Sequence, residues 1–442
     1  MTPHESPAGE LDSNRPIPFR DALRTWTWIG LHSFGGPAGQ IAVMHERLVE
    51  ELEWIDEERF LHALQYCMLL PGPEAQQLAT YIGWRLHGLR GGLAAGILFV
   101  LPGALVMYVL AAIYASAQDL SLVQALFAGI KPVVLAIVIE AVLRIGKRAL
   151  KQRVSWLIAA SAFAALALFD VPFPLVILAA GLVGLFLRDS GPDLVREPAP
   201  TATWRTSALT LCVGLALWFA PLALVALASG TQSVFFQEGL FFSKCAVVTF
   251  GGAYAVLSYV SNQAVHVHGW LRAGQMLDGL GLAETTPGPL ILVVQFVAFL
   301  GAYQHPGILS PLVAGVLGAS LALWVTFVPS MLWIFLGAPW IERLRSLRAL
   351  RGALAAITAA VVGVILNLAV WFALHVLFAH VDDVHSGALH LWVPEWSTLS
   401  WPAALFALVA LWAMLRAKLG LAWTIAGGAL AGVCFYALGI KV

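Results

Sequence analysis

Residues 69–76 read Leu-Leu-Pro-Gly-Pro-Glu-Ala-Gln ("LLPGPEAQ") and lie inside an apolar stretch, 59–87, long enough for a membrane helix. Pro71 and Pro73 lack backbone N–H groups, and Pro71 disfavours helical geometry at Leu70. The stretch therefore predicts two half-helices meeting near mid-membrane, or a re-entrant hairpin. Non-helical backbone at that depth is tolerated only inside protein or beside a watery cavity. From Glu74 onward a new helix starts. Its first N–H groups are unpaired and its dipole end is positive, which suits an anion.

Composition supplies the membrane. The chain has 442 residues, 60% of them hydrophobic and 11% charged, with a mean hydropathy of +0.83. Soluble domains carry about 25% charged residues. Zero net charge gives no reason to expect nucleic acid. Cys67, Cys212, Cys245 and Cys434 are scattered among apolar residues, read as small buried hydrophobes without metal or disulfide spacing. The first twenty residues are polar and Pro-rich, without the apolar core of a signal peptide, and read as a disordered tail.

Apolar segments occupy 22–46, 59–87, 91–116, 122–143, 154–169 and 172–188, then 206–228, 238–262, 270–303, 310–337, 354–377, 399–416 and 421–438. Runs of this length cross a bilayer. The basic loops at 144–153 and 341–353 belong in the cytoplasm, whereas 229–237 and 378–398 carry no Lys or Arg and belong outside. Loop 47–58 is placed outside by alternation. The expected topology has the N-terminus inside and the C-terminus outside.

The two halves repeat. Phe34-Gly35-Gly36 recurs as Phe250-Gly251-Gly252, Trp54 as Trp270 and Pro71-Gly72-Pro73 as Pro287-Gly288-Pro289, all at an offset of 216. With 40 Gly and 23 Pro in 442 residues, one Pro-Gly-Pro match at a fixed offset is roughly a one-in-four-thousand accident. A single extra span between the units turns the second one over. The sequence thus predicts an all-α polytopic membrane protein of about thirteen transmembrane segments, with two inverted six-span repeats whose helices break at Pro-Gly-Pro. The units divide as a tail 1–20, a first repeat 21–188, a linker with the extra helix 189–233, and a second repeat 234–442.

Candidate binding groups cluster at the breaks. They are Phe34, Gly35 and Gly36; Pro71, Gly72, Pro73, Glu74, Gln76 and Gln77; and Phe250, Gly251, Gly252, Thr285, Thr286, Pro287, Gly288 and Pro289. The Phe-Gly-Gly glycines also suit close helix packing. Lys131 lies near the middle of a span, where a cation needs an anion or a coupling carboxylate. Glu74 and Glu284 flank the two breaks and are candidates to carry a coupling proton, because burial disfavours a charged carboxylate. Glu74 also suits a helix N-terminus. Asn367 serves either as ligand contact or as interhelical glue. The stretch "HVDDVHSGALH", with His380, Asp382, Asp383, His385 and His390, has metal-like composition but reads as a solvated outer loop. No catalytic centre, metal site or cofactor is expected, and no nucleotide-binding or nucleophile motif is present. A membrane enzyme or signalling protein is the weaker reading.

The segments "HSFGGPAGQIAVMHERLVEELEWIDEERF", "LLPGPEAQQLATYIGWRLHG", "VVTFGGAYAVLSYV" and "TTPGP" together resemble the chromate ion transporter family in its long two-domain form. The resemblance runs over roughly 20–440. It implies a bacterial inner-membrane protein that exports chromate and confers chromate resistance, with sulfate, a similar tetrahedral dianion, as a second substrate. A homodimer is compatible with it. Moving a dianion outward, with the inside negative, gains about 4.6 kcal/mol per 100 mV, enough for a roughly thousandfold gradient without ATP. Proton antiport is an addition that export does not require. Uptake of sulfate or molybdate is the alternative.

Overall fold

The computed structural model describes residues 17–34, 36–68, 70–187, 204–250, 253–337, 348–387 and 389–439. Most of the tail, the linker 188–203, loop residues 341–347 and the candidate glycines Gly35, Gly251 and Gly252 lie outside the described residues.

All thirteen apolar segments contain helix. In the first half these are α1 (Phe19–His32), α2 (Gly36–His45, running on as a π-helical turn Glu46–Glu51), α3 (Glu57–Cys67), α4 (Glu74–Ala117), α5 (Ser121–Ala149), α6 (Arg153–Phe169) and α7 (Phe173–Phe186). The extra helix is α8 (Trp204–Ser229). The second half holds α9 (Val234–Val248), α10 (Ala253–Asn262, running on as π-helical Gln263–Val267), α11 (Ala273–Thr285) and α12 (Val293–Gln304, entered through a 3-10 turn Leu290–Leu292). It continues with α13 (Pro311–Gly337), α14 (Arg348–Leu377), α15 (Trp401–Leu415) and α16 (Leu421–Ala437). Among the described residues, the strands are confined to a hairpin of β1 (Val381–Ser386) and β2 (Leu389–Pro394) between α14 and α15.

Among the described residues, five helices are long and apolar enough to cross a membrane: α4, α5, α8, α13 and residues Arg351–Leu377 of α14. On α4 the outward residues Leu93, Ile97, Leu101, Leu105 and Val109 fall at every fourth position. Such an uninterrupted apolar stripe would be a liability in water and is at home against lipid. Cys212 and Cys434 are exposed rather than buried; only Cys67 and Cys245 match the expectation.

Four of the apolar segments turn back on themselves. Arg47 lies over the Trp28 ring at 4.8 Å, so α2 returns along α1. Phe241 and Tyr259 meet at 5.2 Å between α9 and α10. Tyr66 and Tyr81 meet at 5.1 Å between α3 and the first arm of α4. A methyl group on Gly279 of α11 would press on the Phe296 ring of α12. An α-helix rises about 1.5 Å per residue, so a merely kinked span would hold each of these pairs some 20 Å or more apart. The Pro-Gly-Pro segments are therefore tips of re-entrant hairpins, the second of the two arrangements left open by the sequence. Loop 47–58 consequently returns to the face on which α1 begins, which corrects its placement by alternation. The His87 ring, where α4 bends back at His87–Gly88, hydrogen-bonds Ile17 O at 2.8 Å on that same face.

Two central helices hold the halves together. Helix α5 is clasped by α15 and α16, and α14 by α6 and α7. Small residues make both contacts close. A Cβ on Gly129 would sit 2.0 Å from the Gly428 carbonyl oxygen, and one on Gly363 2.1 Å from that of Ala159. Without a hydrophobic driving force between helices in lipid, such close backbone approach supplies the packing.

Candidate functional site

The four hairpin tips meet in the interior, in two reciprocal pairs. The Gly288 N–H donates to the Ser33 carbonyl at 2.7 Å, and the Gly72 N–H donates to the Thr249 carbonyl at 2.8 Å. Each tip of one half thus docks on the other half, and Ser33/Thr249 and Gly72/Gly288 are both 216 residues apart. A contact of i with j and of i′ with j′ in exchanged units is the signature of a two-fold relation. Local detail follows the same offset. Ser33 and Thr249 spend their hydroxyls on Ile29 O and Cys245 O, at 2.7 and 2.6 Å. Both have similar torsions, φ −81 and ψ 82 against φ −77 and ψ 87.

The tips are shaped by backbone chemistry. Gly72 and Gly288 have φ of +136° and +88°, which L side chains resist. Around them sit buried amides and hydroxyls. Gln40 Nε2 donates to Gly288 O at 2.6 Å, Gln77 Nε2 to Pro71 O at 2.9 Å, and Ser330 Oγ to Gln76 Oε1 at 2.7 Å. A Cβ on Gly103 of α4 would come within 1.9 Å of Pro287 O, so the second tip rests directly on that helix.

The reciprocal bonds use carbonyls at the C-terminal ends of α1 and α9. The helices that leave the Pro-Gly-Pro tips begin after Pro73 and Pro289 with no side-chain cap. Each hairpin tip combines one positive and one negative helix end. Two of the carbonyls at the negative ends are tied to glycine N–H groups.

A cavity of about 300 Å³ opens beside the second tip, lined by Glu140, Arg144, Tyr254, Glu284 and Lys418 among others. That is about ten water volumes. Tyr254 Oη donates to Glu284 Oε1 at 2.6 Å inside it. Arg144 and Arg148, one helical turn apart on α5, lie within electrostatic reach of Glu284 and Glu74 respectively. Arg144 is itself 3.7 Å from Glu140, which lines the same cavity.

Lys131 does not stand alone. Its Nζ is 3.3 Å from Asp278 Oδ1 on α11, and Tyr114 Oη donates to Asp278 Oδ2 at 2.7 Å. Asp278 had a legible signal, a carboxylate within segment 270–303, but its pairing across units has none in the sequence. The remaining expected residues divide. Gln76 and Gln77 are fully buried at the first tip, and Glu74 is half-buried there. Thr285 and Thr286 spend their hydroxyls on Leu282 O and Ala283 O. Phe34 is exposed, and Asn367 has a buried Oδ1 without a hydrogen bond. Sequence reading passed over Ser33, Gln40, Thr249, Tyr254 and Ser330. It also passed over Glu238 of α9, fully buried against Gly301 and Gly318 with neither oxygen hydrogen-bonded.

Paired re-entrant hairpins meeting inside a bundle of lipid-facing helices make this an α-helical, multi-pass membrane protein built from two related units. The chain belongs to the chromate transporter family, whose profile matches residues 20–185 and again 236–433. Helix α8 falls between the two matches. A chromate transport protein of Pseudomonas aeruginosa is 33% identical over 356 residues, 79% of this chain and 80% of that one. A chromate transport protein of Cupriavidus metallidurans is 28% identical over 443 residues, 99% of this chain and 98% of that one. A probable chromate transport protein of Synechococcus elongatus is 28% identical, covering 71% and 74% of the two chains. No solved structure matches the chain.

Proposed function

We propose that this protein exports chromate from the bacterial cytoplasm as a secondary transporter and thereby confers chromate resistance. Sulfate is a second substrate on the same chemistry. The observation that carries the reading is the junction of four hairpin tips, with uncapped helix N-termini turned toward it. Amide donors fixed by the fold suit an oxyanion that must be held briefly and released. The cavity lined by Arg144 and Lys418 is the cytoplasmic entrance, where basic groups concentrate an anion. Glu74 and Glu284 are candidates for proton antiport, added to the driving force of the membrane potential. Lys131 acts by exchange of partner: the incoming dianion competes with Asp278 for its ammonium.

In this reading each unit starts with two hairpins that regain their starting face and continues with four crossings. Helix α8 adds one more. The five crossings before the second unit invert it, and the odd total of nine puts the termini on opposite faces, with the N-terminus cytoplasmic and the C-terminus periplasmic. Replacing four broken spans by hairpins leaves that parity untouched.

Transport is tested in inverted membrane vesicles. Labelled chromate accumulates inside them when the interior is made positive, and unlabelled sulfate competes. Accumulation only in right-side-out vesicles, or indifference to the potential, overturns export and supports uptake. Topology is tested by single cysteines. Glu53→Cys and Arg148→Cys label from the cytoplasm, and Asp382→Cys from outside. Labelling of Glu53→Cys from outside would restore the kinked-span arrangement and remove the hairpin.

A further inference from the structure

The β-hairpin between α14 and α15 carries a second, separate constellation. Strand register sets His385 directly opposite His390 and Asp383 opposite Trp392. Residues opposite and two apart share a face of a two-stranded ribbon, so Asp383, His385 and His390 project together while Asp382 and Val384 project away. The two imidazole rings stack at 4.7 Å. The fold then adds a residue from the other half of the chain, Asp170, in the turn between α6 and α7 with φ of 48°.

Two distances within this group have the spacing of neighbouring ligands in a metal's coordination shell. His390 Nδ1 lies 3.1 Å from Asp170 Oδ1, and His385 Nε2 lies 3.4 Å from Asp170 Oδ2. One ligand atom from each of Asp170, His385 and His390 falls within 4.8 Å of the others. Ligands about 2.1 Å from a tetrahedral Zn²⁺ stand about 3.4 Å from one another. The other ring nitrogen of His390, Nε2, is hydrogen-bonded to Asp383 Oδ1. That contact suits the tautomer a metal needs, in which Nε2 carries the proton and Nδ1 offers its lone pair. Nδ1 is buried, makes no hydrogen bond, and faces Asp170 and His385. His390 itself is only 4% exposed, an unusual place for an imidazole nitrogen without a donor. A carboxylate behind a histidine, with the far nitrogen free, is the arrangement that orients metal-bound imidazoles.

We propose that Asp170, His385 and His390 form a divalent transition-metal site of the Zn²⁺ type, with Asp383 as the positioning residue behind His390. Two imidazoles and one carboxylate leave a fourth position open. The His385 and Asp170 side chains are 60% and 44% exposed, so the ion enters from solvent and a water completes its shell. The ligand set favours Zn²⁺ or Co²⁺ over Ca²⁺ or Mg²⁺, which prefer all-oxygen shells. A bound ion ties the α6–α7 turn of the first unit to the hairpin of the second.

The test uses the full-length protein in detergent, freed of any affinity tag and treated with a chelator. Titration with Zn²⁺ is expected to show one ion per chain and to raise the thermal unfolding midpoint, because the ion binds only the folded arrangement. Co²⁺ is expected to give the visible absorption of a low-coordinate site, abolished by added Zn²⁺. His385→Ala and Asp170→Asn should each lose at least tenfold in affinity, and Asp383→Asn ten- to a hundredfold at unchanged stoichiometry. His385 is exposed, so its variant tests binding without endangering the fold. Absence of saturable Zn²⁺ and Co²⁺ binding in the wild type overturns the site. So does affinity that is undiminished in both His385→Ala and Asp170→Asn.

Discussion

Lys131→Met should lower the amount of folded protein in the membrane several-fold and abolish saturable chromate transport. The structure pairs Lys131 with Asp278 at 3.3 Å, and the Asp278 side chain is only 9% exposed. Removing the ammonium leaves a buried carboxylate held by Tyr114 alone. Breaking one partner out of a buried pair costs about 3 kcal/mol or more. Asp278→Asn in the same chain removes the stranded charge while still accepting from Tyr114, so the double variant should regain the wild-type level. Its transport should not recover. With no ammonium to exchange between Asp278 and the dianion, the half-saturation concentration should stay at least tenfold above wild type. Lys131→Arg keeps the charge but alters shape and donor geometry, so it should retain part of the activity. Immunoblots and concentration-dependent flux in matched vesicles separate the two effects. Full transport in the double variant would reduce the pair to a latch between α5 and α11. An unchanged level in Lys131→Met would remove the buried-pair argument itself.

The second large effect is expected at the hairpin tips. Replacing Pro71-Gly72-Pro73 or Pro287-Gly288-Pro289 by three alanines should leave the chain inserted and cut chromate flux by a hundredfold or more. Alanine favours continuous helix, the state the tips exist to prevent. It also resists the left-handed torsions of Gly72 and Gly288. At Gly72 the added Cβ would fall 2.6 Å from Gln77 Nε2 and 2.9 Å from Ser330 Oγ. Gly103→Leu approaches the second tip from outside the motif, since even a Cβ there would meet Pro287 O at 1.9 Å. It should reproduce the loss with both motifs intact. Flux within twofold of wild type in both alanine variants would make the tips packing features.

These predictions draw unequally on sequence and structure. The membrane class was legible because sixty per cent hydrophobic composition has no other stable setting at this length. The repeat was legible because Pro-Gly-Pro is rare enough for one coincidence of spacing to count. The expectation of odd parity, and with it of an inverted relation, followed from one extra helix between units.

What the chain alone could not decide is how each break bends. Two prolines and a glycine forbid a straight helix, but they permit both a kink and a reversal. The choice rests on the torsions of Gly72 and Gly288 and on the carbonyls of Thr249 and Ser33 that receive their N–H groups. Those partners lie in the opposite half of the chain. The same holds for Lys131, whose charge was visible and whose partner Asp278 was not. It holds again for Asp170, distant in sequence from the two histidines it joins. Hydrophobic length and motif spacing are local properties, written residue by residue. Pairing between units is set by which buried polar groups would otherwise lack a partner, and only the packed structure settles that.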